Sequence, residues 1–111
     1  MNGLLGKSLS TNGDYVKVYE APAVGIDFVT INVSIVNTSA GVALVDTAVS
    51  STGAPTVVDH IGWQDEVGAD GGTLEFSCHL LSPGEALYVR GNTDELAIRV
   101  YGLEKEAPIQ P

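Results

Sequence analysis

The sequence predicts an all-β fold, an antiparallel β-sandwich of seven to eight short strands in jelly-roll or immunoglobulin-like order. Three observations carry that expectation. Apolar and polar residues alternate with period two in segment after segment. Turn-forming clusters separate the segments at intervals of about 8 to 12 residues. No stretch shows the 3.6-residue apolar period of an amphipathic helix. Period two sends successive side chains to opposite faces of a strand, so each segment offers one dry face to a core.

The first strand is expected over Asp14 to Glu20, with Val16 and Val18 inward. The clearest alternation follows in Phe28 to Val36, where Val29, Ile31, Val33 and Ile35 share one face and Thr30, Asn32 and Ser34 the other. Burying those four side chains is worth about 1.5 to 3 kcal/mol each before entropy is subtracted. Asn37-Thr38-Ser39-Ala40-Gly41 turns the chain into a strand over Val42 to Val49, a hairpin partner for the first. After the polar loop Ser50 to Pro55, Val57, Asp59, Ile61 and Trp63 alternate, until the acidic, Gly-rich stretch Asp65 to Gly72 interrupts the pattern. Thr73 to Leu81 resumes it, with Leu74, Phe76, Cys78 and Leu80 on one face. Ser82-Pro83-Gly84-Glu85 is a strong turn, since Pro presets the first central angle and Gly accepts a positive one. Leu87 and Val89 mark a short strand, and after Asn92-Thr93-Asp94 the last strand places Leu96, Ile98 and Val100 inward. The predicted core is therefore Val29, Ile31, Val33, Ile35, Leu74, Phe76, Leu87, Val89, Leu96, Ile98 and Val100.

A chain of 111 residues fits one domain. Its organisation reads as an N-terminal arm (1–13), a sandwich (14–106) and a C-terminal tail (107–111), because the ends carry little pattern and Pro108 and Pro111 would not continue a sheet. Apolar residues at 44% against 17% charged argue against disorder. The net charge of −9 would repel a phosphate backbone, so nucleic acid is not an expected partner. No apolar run reaches the roughly 20 residues of a membrane helix, and Met1 to Lys7 lacks the form of an export signal, so a soluble, unexported protein made in the cytoplasm is expected. A single cysteine rules out an internal disulfide.

Catalytic chemistry is not expected. No Gly-x-Ser-x-Gly elbow, cysteine-nucleophile motif, phosphate loop or dinucleotide fingerprint is present. Cys78 alternates with apolar residues and reads as a core thiol. His60 and His79 lack a second ligand at metal spacing and read as surface or interface imidazoles. Asp65, Glu66 and Asp70 lack the ligand spacing of a calcium loop and read as a solvated acidic loop. No cofactor or metal is expected. Trp63, the sole indole, alternates with Ile61 and Val57, which points to the core and away from an exposed binding aromatic. With Leu4, Leu5, Leu9 and Ile109 of the unpatterned ends, it completes the candidate interaction residues.

From Asp14 to Glu106 the order of features resembles that of small β-sandwich virion proteins of tailed bacteriophages. The features are the strand Val29-Thr30-Ile31-Asn32-Val33-Ser34-Ile35-Val36-Asn37 with its Thr-Ser-Ala-Gly turn, Val42-Ala43-Leu44-Val45, the Ser/Thr/Pro loop at 50–55, Leu81-Ser82-Pro83-Gly84-Glu85-Ala86-Leu87-Tyr88-Val89, and the terminal Leu96 to Glu104. The resemblance implies a non-enzymatic virion component, first a capsid decoration (cement) protein that stabilises the head, second a tail, neck or fibre-associated protein. It also implies other virion proteins as partners, the major capsid protein or tail components. A homo-oligomer, with a cyclic trimer the first expectation, would let each arm cross onto the next subunit. A carbohydrate-binding sandwich is the competing class, and aromatic residues at 6% with one Trp weigh against it.

Overall fold

Strand β3 (Ile26–Asn37) is the frame on which the domain is built. Val29, Ile31, Val33 and Ile35 are all buried, while Thr30, Asn32 and Ser34 look outward, as their alternation requires. The computed structural model describes residues 2–108. In chain order its strands are β1 (Asn2–Leu9), β2 (Val16–Glu20), β3, β4 (Ala43–Ser50), β5 (His60–Val67), β6 (Gly72–Leu81), β7 (Ala86–Gly91) and β8 (Leu96–Glu106), with a 3₁₀ turn at Val57–Asp59.

The strands form two antiparallel four-stranded sheets, β1-β8-β3-β6 and β2-β7-β4-β5. First pairs with last, second with seventh, third with sixth and fourth with fifth. That is one long hairpin wound about itself, the jelly-roll order, and the immunoglobulin-like alternative is set aside. The β3–β8 and β4–β7 ladders close each sheet through its middle. Between the sheets lies one layer of side chains, drawn from β3, β8, β7 and β4 with Val67, Leu81 and Ala21. At Gly102 a Cβ would come within 1.9 Å of the Thr30 carbonyl oxygen, so the close crossing of β8 and β3 excludes a side chain there.

Asn37 ends β3 inside the protein with every polar atom of its side chain satisfied. Its Nδ2 donates to the Gly41 and Val67 carbonyls at 2.8 and 3.1 Å, and its Oδ1 accepts from the Ser39 amide and hydroxyl at 2.9 and 2.6 Å. The amide thus ties a strand of the first sheet to the end of β5 in the second, where an unsatisfied amide would be costly.

Several expectations are corrected by this arrangement. Residues 2–9 are no arm: they form β1, hydrogen-bonded along β8. Ser10 continues the anchorage through bonds to Leu96 and Thr93. An arm crossing to a neighbour is therefore not available from this segment. Its pattern is hard to see because Gly3, Gly6, Lys7 and Ser8 interrupt it and a bulge at Leu5 shifts its register. Val57 is exposed in the 3₁₀ turn instead of alternating inward. Strand β5 runs through Asp65 and Glu66 to Val67, so the first part of the expected acidic loop is strand and the turn is confined to residues 68–71. Leu74 and Phe76 are partly buried against the core, but Cys78 and Leu80 are exposed and Leu81 is buried in their stead.

The cause lies in the ladder. Ile31 pairs with His79 and Val33 with Phe76, so Ser77 and Cys78 together oppose Asn32. Such a β-bulge adds one residue and reverses the inward parity of everything beyond it. Cys78 takes φ +56°, and its amide donates to Asn32 Oδ1 at 2.9 Å.

Two outcomes follow from the packing. Replacing Ile31 by Ala should cost about 2 to 5 kcal/mol in urea unfolding, because the single core layer has no second layer to collapse into the void; a loss below roughly 0.5 kcal/mol would place that face in water. The second concerns Tyr19, whose hydroxyl donates to Glu104 Oε2 at 2.5 Å and so links β2 to β8. Burial first, and then this bond, push its phenol above the ordinary value of 10.0. The folded chain then keeps a proton that the unfolded chain releases, so this contribution is whole below about pH 10 and is lost as pH rises above it. Tyr19→Phe should flatten the alkaline fall in the urea midpoint, and an unchanged fall would refute the assignment.

Candidate binding site on the outer face of the second sheet

On the outside of β2-β7-β4-β5, side chains far apart in sequence converge around Asp46. Asp46 and Arg90 are direct cross-strand neighbours on β4 and β7. Arg90 donates to Asp46 Oδ2 through Nε at 3.0 Å and Nη2 at 2.8 Å. The other carboxylate oxygen, Oδ1, accepts the Gln64 amide at 2.8 Å.

That last bond holds a bulge in β5. Val45 pairs with Asp65 and Thr47 with Gly62, so Trp63 and Gln64 together oppose Asp46, and Gln64 takes φ +48°. The arrangement repeats the one on β6: an extra residue, a left-handed backbone, and an Asp or Asn opposite that accepts the strained residue's amide. Trp63 is turned outward and is 53% exposed.

An aromatic row runs from Trp63 across the sheet. The His60 ring meets the indole edge-on with centroids 4.7 Å apart. His60 Nδ1 lies 3.2 Å from the Val57 carbonyl, and Nε2 is bonded to the Tyr15 hydroxyl. Facing a carbonyl, Nδ1 serves as the donor, and the Tyr15 hydroxyl is the partner of Nε2. The Arg90 guanidinium stacks 4.4 Å from the centre of the Tyr15 ring. Burial pushes the Tyr15 phenol up and Arg90 pulls it the other way. A cleft of about 270 Å³ opens on the far side of Arg90 from this row, lined by Asn12, Leu44, Asp46, Gln64, Arg90 and Asn92, with the three aromatic rings outside its lining. Asn92 is fixed by accepting the Leu44 amide at 3.0 Å.

Of the residues singled out in the sequence, Trp63 belongs to this site, against its expected place in the core. Leu4 and Leu9 lie in the other sheet and are exposed, whereas Leu5 packs against the core. Ile109 lies outside the described residues. Among the described residues no group of three or more His, Cys, Asp or Glu could hold a metal ion. Sequence reading passed over Tyr15, Asp46 and Arg90, since they come together only through pairings 44 and 45 residues apart.

Asp46→Ala should release the bulge. We expect a stability loss of about 1 to 3 kcal/mol, towards the lower figure because Arg90 keeps contact with water. The fluorescence of Trp63, the one indole, should change with it. Unaltered emission and stability would show that the clamp does not hold Trp63.

Compared with protein-family models and with curated proteins, the chain finds no match in either.

Proposed function

We propose that this protein is a non-enzymatic structural component of a tailed-bacteriophage virion, a capsid decoration protein with a tail, neck or fibre position as the alternative. It would act by laying the outer face of β1-β8-β3-β6 on a neighbouring virion protein. The observation that carries this reading is the character of that face. Cross-strand rows set Leu80, Thr30 and Leu103 side by side, then Asn32, Tyr101 and Leu4. Leu80 is 60% and Leu103 45% exposed. The same face carries Lys7, Arg99 and Lys105, three of the five basic residues of a chain whose net charge is −9.

An apolar patch edged by the scarce cations fits an acidic protein surface, and it disfavours the same face of a second copy, which would set like charges together. A homo-oligomer on a shell would then use its edges or its acidic surface against this face, a head-to-tail contact that closes as a ring, a trimer first. A shallow cavity of about 400 Å³ between Lys7, Leu9, Ala97 and Arg99 extends the face along β1. The jelly-roll order also recurs in viral shell proteins, which supports the reading as an analogy of fold.

Sedimentation of the purified chain with phage heads, and separately with tails, tests the proposal. Binding should weaken about tenfold or more in Leu103→Glu, with the fold checked by circular dichroism. Failure to bind either particle, or binding indifferent to Leu103→Glu, would overturn it.

A further inference from the structure

We infer that the cleft beside Trp63 is a binding site for a neutral saccharide, with the indole as its stacking platform and the Arg90–Asp46 pair and neighbouring amides as its hydroxyl-reading groups. This goes beyond the docking role, uses the opposite sheet and stands or falls separately.

The charge of the site selects the ligand class. Arg90 and Asp46 are the ionised residues lining the cleft, and they neutralise each other through two hydrogen bonds. A phosphate or carboxylate ligand would meet Asp46 and a chain of net charge −9. A cationic ligand would meet Arg90. A neutral ligand rich in hydroxyls meets neither penalty.

The polar groups suit such a ligand. Arg90 bonds Asp46 through Nε and Nη2, so Nη1 takes no part in that pair. Asn92 spends its carbonyl oxygen on Leu44, which leaves its amide hydrogens for a ligand. Asn12 and Gln64 add two more amides, each with a donor and an acceptor. Adjacent sugar hydroxyls, which both donate and accept, match this alternation.

Trp63, outside the cleft's lining but next to Gln64 on the bulge opposite Asp46, supplies the other half. Trp63 is exposed yet restrained, because His60 holds its ring and is itself held by Tyr15 and the Val57 carbonyl. An indole fixed in advance loses little freedom when the C–H face of a pyranose stacks on it. At about 270 Å³ the cleft falls below the roughly 300 to 1,000 Å³ of pockets that enclose drug-sized ligands, so it suits one ring or two of a chain that runs on into solvent.

The test is a titration of the full chain with maltose, cellobiose, lactose and N,N′-diacetylchitobiose, followed by backbone amide shifts. Acidic peptides and sialyllactose serve as contrasting ligands. At least one neutral sugar should give a saturable shift centred on Trp63, Gln64 and Asn92, with a dissociation constant in the millimolar range. Trp63→Ala and Asn12→Ala should each weaken it about tenfold or more, whereas Leu103→Glu on the other sheet should leave it unchanged. Both altered side chains lie outside the core, and an intact amide spectrum will show that the fold is kept. The inference is overturned if no neutral sugar shifts these residues at about 10 mM, if the charged ligands alone do so, or if sugar binding survives Trp63→Ala.

Discussion

One layer of side chains separates the two sheets, and the domain depends on every strand keeping the same parity with respect to that layer. The principal extents of 56 × 27 × 17 Å leave no depth for a second layer. A strand that slips by one residue would turn its whole apolar set into water. The β3–β8 ladder protects against this, because both strands alternate cleanly and lie in the middle of their sheet. With those two in register, the nested pairs β4–β5, β3–β6, β2–β7 and β1–β8, joined in the second sheet by β4–β7, give the jelly-roll order.

The bulges in β6 and β5 break this parity, and they account for the apolar side chains that the two outer faces expose. Each inserts a residue in an edge strand and puts a non-glycine residue at positive φ, a conformation that costs about 1 to 3 kcal/mol. Each is held by one opposed acceptor, Asn32 for Cys78 and Asp46 for Gln64. The β6 bulge sends Leu80 out onto the apolar face and Leu81 in. The β5 bulge sends Trp63 out beside the polar cleft. Strain stored in the backbone is thus offset by a side-chain hydrogen bond, and what it yields on each sheet is an exposed apolar side chain that regular pairing would have hidden.

The same physics decides what could be read from the sequence. Strands β3 and β8 were legible because their burial follows period two, and Leu96, Ile98 and Val100 are buried as their spacing predicts; in β7 Leu87 and Val89 are buried as predicted, but Ala86 and Tyr88 on its other face are buried too. Strand β1 was not, since a glycine-containing edge strand gains its stability from backbone pairing with β8 and carries little side-chain pattern. Cys78, Leu80 and Trp63 were misplaced for one reason. A bulge is usually signalled by a glycine at the left-handed position, and here Cys78 and Gln64 occupy it with help from residues 46 and 18 positions away. Local pattern cannot carry that information. The candidate site was hidden in the same way, for a low aromatic content says nothing about whether Tyr15, His60 and Trp63 share one surface.

Charge completes the division between the faces. A chain with 14 acids and five bases could spread its cations to neutralise the surface evenly, but three of them sit on one sheet face and Arg90, on the other, is consumed by Asp46. The first face therefore gathers three cations, with Glu75 beside them, and under the docking proposal they would attract an acidic partner in a salt-dependent manner. On the second face Arg90 is paired with Asp46 and Lys17 with Glu20, so under the saccharide proposal selection would rest on shape, stacking and hydrogen bonds. High salt should separate them, weakening contacts at the Leu80–Leu103 face while leaving the Trp63 cleft almost untouched, because an interaction already neutral within the protein offers no field for ions to screen.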